Sequence, residues 1–202
     1  VLSQLEKSIP DESRNHIVLD ILEGVDEEMV CLSWWERIAR NIQWDFEYFD
    51  GFIVFHEYES ITFGASVIAL MNRKGTIPTI LTTTKVSLTD NENSLSQFEI
   101  AINIVKKGLV QGTCLLIDGI VYDPFFVTMN SENELQVTHP ESVLGYTEDL
   151  EKNHRRVSAL SLEPEFVTHI SKRVFILKFF PQTMEWFDIL LRNVEATVIL
   201  LE

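Results

Sequence analysis

From His16 to Asp123 short apolar runs of strand length alternate with longer stretches of helical periodicity. The runs are too short for a helix with a buried stripe, and the periodic stretches are too long for one strand. That alternation calls for a parallel sheet with helices on both faces, because each helical crossover returns the chain to the same end of the sheet. The first run is HIVLDIL, residues 16–22, preceded by a polar loop over residues 1–15 and followed by the acidic turn EGVDEEMV. Ser33 is placed to cap a helix beginning at Trp34, with Trp35, Ile38, Ala39 and Ile42 on one stripe. Gly51 to Phe55 is the next strand, and its unbroken apolar run implies burial on both faces. A helix over Ile61–Asn72 follows, then the strand TIPTILTTT with Pro78 at its entry and the polar loop TDNENS. LSQFEIAINIVKKGL is amphipathic, with Phe98, Ile102 and Val105 inward. GTCLLIDGIVYD is a strand with a hairpin turn at Asp118-Gly119.

Parallel sheets of this kind bind ligands at the carboxyl ends of their strands. The turn Glu57-Tyr58-Glu59-Ser60 occupies such an end, yet it holds no glycine and two acids. Downstream, residues 146–171 read as a polar, irregular linker with a short helical segment over Pro164–Ile170. RVFILKFF, a helix over residues 183–192, and ATVILLE then form one more βαβ unit. The domain organisation is therefore residues 1–145, a linker at 146–171, and the start of a smaller α/β domain at 172–202.

Composition narrows the function classes. The 202 residues are 46% hydrophobic, enough to bury a core, but no apolar run approaches the roughly 18 residues of a membrane span. No basic stretch opens the chain, so a signal peptide is not expected, and without an initial Met an excised or engineered piece is expected. Cys31 and Cys114 read as two buried thiols in a reducing compartment, the cytoplasm or nucleus. The five histidines have no ligand spacing, so neither a metal nor another cofactor is expected. A net charge of −15 repels phosphate backbones and anionic membranes. The basic group Lys152, His154, Arg155, Arg156 reads as solvated linker.

Four stretches resemble the L-asparaginase family, the cytosolic bacterial-type branch that also includes the asparaginase-like subunit of the archaeal tRNA amidotransferase. Residues 50–61, DGFIVFHEYESI, resemble the family's DGFVVLHGTDTM. Residues 34–39, WWERIA, resemble DWVRIA, and residues 77–88, IPTILTTTKVSL, resemble KPVVLTGSQIPL. Val174–Pro181 and Ala196–Glu202 resemble VAILRLFPGITPE and GVVLETYG. The resemblance covers roughly residues 16–145 and 172–202. It implies a flavodoxin-like amino-terminal domain, a smaller carboxy-terminal α/β domain, amide hydrolysis through a threonine nucleophile without a metal, and dimers or tetramers.

The catalytic residues that the resemblance implies are absent. The family's GGTI motif does not occur in this sequence. Tyr58 stands at the second catalytic threonine, Glu59 at the adjacent aspartate, Glu57 at the preceding glycine and Met129 at the lysine. Asp26-Glu27-Glu28 stand where the family serine holds the substrate carboxylate, and acids there would repel it. A hydroxyl needs an adjacent base to become a nucleophile, and here both are missing. The degenerate positions are thus Tyr58, Glu59 and Met129.

Two rival readings remain. Ser60, Glu59 and Lys85 could form a relocated nucleophile–base site, against the plainer reading of Ser60 as a helix cap and Lys85 as a solvated lysine. Glu57, Glu59 and residues 26–28 could receive a cationic ligand, against plain surface acids. The favoured reading is a catalytically inactive domain used for protein–protein contact, self-association first. Trp34, Trp35, Trp44, Phe46, Tyr48 and Phe49 exceed what one helix face can bury. Adjacent Phe125 and Phe126 cannot both point inward from a strand. Trp34, Trp44, Phe46, Phe125 and Phe126 are the interaction candidates.

Overall fold

The computed structural model describes residues 17–20, 32–73, 77–83, 92–153, 157–158, 166–167, 169–170, 174–177 and 198–201. The chain divides into two compact units, Val1–Thr168 and His169–Glu202. In the first unit the elements run α1 (Leu32–Asp45), β1 (Phe52–Phe55), α2 (Ile61–Met71), β2 (Thr79–Thr82), α3 (Glu92–Lys107), β3 (Val110–Gln111), β4 (Thr113–Ile117), β5 (Ile120–Tyr122), β6 (Val127–Met129), β7 (Leu135–Val137), β8 (Val143–Tyr146), α4 (Thr147–Asn153) and β9 (Val157–Ser158). Single 3-10 turns lie at Pro124–Phe126 and Pro140–Ser142.

The main sheet has the order β1-β2-β4-β5-β8. Its first three strands are parallel, with Ile53, Ile80 and Cys114 in one register row. The parallel part of the sheet is as expected, the hairpin expected at Asp118-Gly119 turns β5 antiparallel to β4, and β8 adds a second antiparallel edge. The reason is local. Two residues between β4 and β5 can only reverse the chain. Asp118 and Gly119 have φ values of 49° and 74°, the left-handed pair that a tight hairpin turn requires.

Helices cover both faces of the sheet, as expected. Ile80, Cys114, Leu116 and Val121 form one buried cluster with Ala101 and Ile104 of α3 and Leu150 of α4. The strand period turns the fully buried Leu81 and Leu115 to the opposite face, where α2 packs on β2 and β4. The stripe Trp35, Ile38, Ala39 and Ile42 of α1 is buried as its spacing predicts, and α1 packs on α2. Phe98 and Ile102 are buried and Val105 half-buried.

Several local expectations are revised. β1 is half-buried rather than buried on both faces, because it is the outer strand of the described sheet. α1 starts at Leu32, so Ser33 lies inside the helix and is not its cap. Half of the expected loop TDNENS is helical, since α3 begins at Glu92. Residues 17–20 of the expected strand HIVLDIL form no strand. The expected linker 146–171 opens with α4, which belongs to the core. Leu150 is buried there, and the Thr147 N–H and hydroxyl both donate to the Gly119 carbonyl at 3.0 Å. In place of the helix expected around residue 166, Phe166 bridges antiparallel to Asn72, and the Val167 N–H donates to the Met71 carbonyl at 2.8 Å.

In the second unit β10 (Val174–Leu177) and β11 (Val198–Leu201) pair in parallel, the strand half of the expected βαβ unit. The helix expected over 183–192 lies outside the described residues, as do Cys31, Lys85, residues 26–28 and the basic residues 154–156. Cys114 is a buried free thiol whose pKa burial pushes up, so it is unreactive at neutral pH. Among the described residues no helix is long and apolar enough to cross a membrane.

The contact between α1 and α2 rests on a missing side chain. A Cβ at Gly64 would run into the six-membered ring of Trp35, which is fully buried. Gly64→Ala should therefore lower stability by about 1–3 kcal/mol through overpacking, although alanine favours a helix over glycine by about 1 kcal/mol. In a Trp35→Leu background, which removes the ring, the same change should be neutral or stabilising. Urea unfolding of the four proteins of this cycle checks it.

Candidate functional site

β1 delivers the chain to the carboxyl end of the sheet, where the His56 N–H continues the ladder to the Thr82 carbonyl at 3.2 Å. Residues 58–60 then turn into α2. Ser60 is the N-cap residue, as expected, but its side chain does not cap the helix. Its Oγ instead lies 3.0 Å from His56 Nδ1, in hydrogen-bond contact. The spacing of four residues across the turn brings the two side chains together. The rival reading had paired Ser60 with Lys85, and His56 was passed over because the histidines were weighed only as metal ligands, although it stands at the histidine of the quoted motif.

The imidazole of His56 is held by two indoles. Its centroid is 4.8 Å from that of Trp34 and 4.6 Å from that of Trp35, and the indoles meet edge to face at 5.0 Å. The buried Nε1 atoms of Trp34 and Trp35 find no acceptor among the described residues. Burial pulls the His56 pKa below its ordinary value, against the weaker opposing influence of the Glu57 backbone and carboxylate. The ring is thus neutral at neutral pH, and with its proton on Nε2 it presents Nδ1 as an acceptor to the Ser60 hydroxyl.

The residues that the resemblance sets at the family's catalytic positions divide. Tyr58 is 9% exposed, so its ring is packed into the protein. Glu57 and Glu59 are exposed. Met129 is half-buried on β6, in a hairpin with β7. That hairpin reaches the turn, since Asn133 Nδ2 donates to Glu59 Oε1 at 3.4 Å. The 3-10 turn that leads into it is tied to α2 through the Ser66 hydroxyl, which donates to the Pro124 carbonyl at 2.8 Å. A cavity of about 1100 Å³ lies at the other end of the sheet, beside Gly51, Pro78, Phe98 and Gln111. A smaller one, about 480 Å³, lies beside Gln97, Asp118 and Thr147. The turn lines neither of these two cavities.

Of the interaction candidates, Trp44 is 72% exposed, and Tyr48, in the turn after α1, is 80% exposed. Trp34 is committed to the indole–imidazole stack. Phe46 is half-buried against Phe166, at 5.4 Å between centroids. The argument for Phe125 and Phe126 is corrected, because they sit on a 3-10 turn where strand alternation does not apply. Both are half-buried, and Phe126 lies 5.6 Å from the His139 ring.

The His56 environment has a pH signature. Its pKa is lower in the folded protein than in the unfolded chain, so below about pH 6.5 the unfolded chain binds the proton first. The resulting stability is complete above that pH and is lost as pH falls through the lowered folded value. Denaturant midpoints at pH 7.5 and pH 5.5 should therefore fall further for the parent protein than for His56→Gln. Carboxylates common to both proteins cancel in that comparison.

Known proteins place this geometry. The family model described as "Asparaginase, N-terminal" matches residues 3–153, well over half of the chain. No curated protein matches the sequence. The structure is similar to the thermostable L-asparaginase from Thermococcus kodakarensis, with 20% identity and a TM-score of 0.67 over 91% of this chain and 56% of that one. It is also similar to a probable cytoplasmic L-asparaginase from Campylobacter jejuni, with 15% identity and a TM-score of 0.64 over 100% of this chain and 66% of that one. L-asparaginase I from Vibrio cholerae matches with 14% identity and a TM-score of 0.61, over 99% of this chain and 64% of that one. At these identities the likeness concerns the fold, and the chain spans 56–66% of the length of these three proteins. The sheet order, the strand–turn–helix at residues 52–71 and the matched residues lead to one conclusion: the chain belongs to the asparaginase family.

Proposed function

We propose that this asparaginase-fold domain does not hydrolyse asparagine or glutamine at the family's threonine position, and that it serves as a protein-contact module, self-association first. The carrying observation is the buried ring of Tyr58, which stands where the resemblance puts the second catalytic threonine. A phenol there fills the space of an aliphatic hydroxyl and its substrate, and no lysine stands at Met129 to take a proton. The contact surface is Trp44, near the end of α1, with Tyr48, in the turn that follows, both exposed aromatics. Tryptophan and tyrosine are the residue types that carry binding energy at interfaces. The net charge of −15 disfavours nucleic acid and anionic membranes as partners. The reading places the domain in the cytosol. The buried thiol of Cys114 and the fold shared with the Campylobacter jejuni protein support that placement.

Two measurements test it on the purified chain. Ammonia release from asparagine and from glutamine should stay at the blank level, and turnover that disappears in Tyr58→Phe would overturn the proposal. Light scattering across a dilution series should give a dimer that dissociates in the double variant Trp44→Ala, Tyr48→Ala while circular dichroism is unchanged. A monomer at every concentration would remove self-association.

A further inference from the structure

The turn that has lost the family's threonine holds another hydroxyl with a base beside it. We propose that Ser60 is a nucleophile activated by His56, and that the pair transfers the acyl group of small esters bearing a positive charge. This goes beyond the contact role above, because it concerns Ser60 and not the family position at Tyr58.

Four observations carry it. Ser60 Oγ and His56 Nδ1 are 3.0 Å apart, the reach over which a hydroxyl hands its proton to a base. The hydroxyl is not spent on the helix end, although Ser60 occupies the N-cap position. The ring is oriented by Trp34 and Trp35 rather than left to rotate, so the base needs no rearrangement before proton transfer. The first intrahelical bond of α2 runs from the Gly64 N–H to the Ser60 carbonyl, so the amides of residues 61–63 have no intrahelical acceptor. Those amides adjoin the hydroxyl, where charge would develop on an attacked carbonyl oxygen. Ser60 is half-buried, not sealed, and the exposed carboxylates of Glu57 and Glu59 flank it. Their sign favours a cationic ester over a neutral or anionic one.

The step balances without a cofactor. Ser60 Oγ attacks the acyl carbon while His56 Nδ1 takes the hydroxyl proton. The bond to the leaving alcohol or thiol breaks, and that group departs with the proton from Nδ1. Water then attacks the acyl–serine ester with the same base, which releases the carboxylic acid and restores the Ser60 hydroxyl. A hydrogen bond that merely closes the turn predicts an ordinary, unreactive serine.

The test is covalent labelling of the folded chain with a fluorophosphonate probe, read by peptide mass spectrometry. The expected adduct is on Ser60. It should be absent in Ser60→Ala and form about 100-fold more slowly in His56→Gln. Acetylthiocholine should be hydrolysed faster than the neutral S-ethyl thioacetate, and the preference should shrink in Glu57→Gln, Glu59→Gln. No adduct on Ser60 of the parent protein, whose fold is verified by circular dichroism, overturns the proposal without reference to any variant. Equal labelling rates in the parent and a folded His56→Gln overturn the role of His56. Neither result depends on ammonia release from asparagine, so this proposal and the contact role fail separately.

Discussion

The indole of Trp35 lies over Gly64 because α2 offers no side chain there, and the arrangement of the turn depends on that contact. Trp35 is fully buried, and truncating a buried tryptophan typically costs about 3–5 kcal/mol. The ring does more than fill space. It sets α1 against α2, and with Trp34 it forms the two walls that hold His56. His56 in turn holds Ser60. One glycine on α2 is therefore linked through an indole and an imidazole to the hydroxyl at the helix start. The links are packing and one hydrogen bond, not charge.

The path of the same turn is drawn by its backbone. The strand ladder through His56 and the first bond of α2 use backbone atoms on either side of residues 57–59. A buried tyrosine at residue 58 is compatible with that path. Function lives in grafted side chains, and side chains can be exchanged while the scaffold persists. The hairpin carrying Met129 illustrates this from the other side. It lies beside the turn through Asn133 and Glu59, with a thioether where the resemblance implies an amine.

Much of the fold was legible in the sequence. Helical spacing located the buried stripe of α1 and the inward residues of α3, because burial of one face imposes a 3.6-residue period. Asp118-Gly119 announced the hairpin, because few residue pairs tolerate two left-handed conformations in succession. The strand and helix around residues 52–71 emerged within one or two residues. The polar stretch after Tyr146 misled, because among the described residues of α4 the buried ones are Thr147 and Leu150, and two residues leave no period to read. The half-burial of β1 was hidden for a similar reason: an apolar run does not say whether a strand has neighbours on both edges.

The candidate site was legible only in outline. The quoted motifs and their order carried the resemblance to the family and the strand–turn–helix, and the resemblance implied the exchanges at Tyr58, Glu59 and Met129, because each is a matter of which residue stands where along the chain. The partner of Ser60 was not determined there. His56 lies four residues away, a spacing that pairs side chains across some turns and separates them across others. Which of these holds is set by the dihedrals of the turn and by the indoles that orient the ring, and both follow from how α1 packs on α2. Pairings across a turn belong to tertiary structure, since the energies that choose among rotamers come from neighbours distant in sequence.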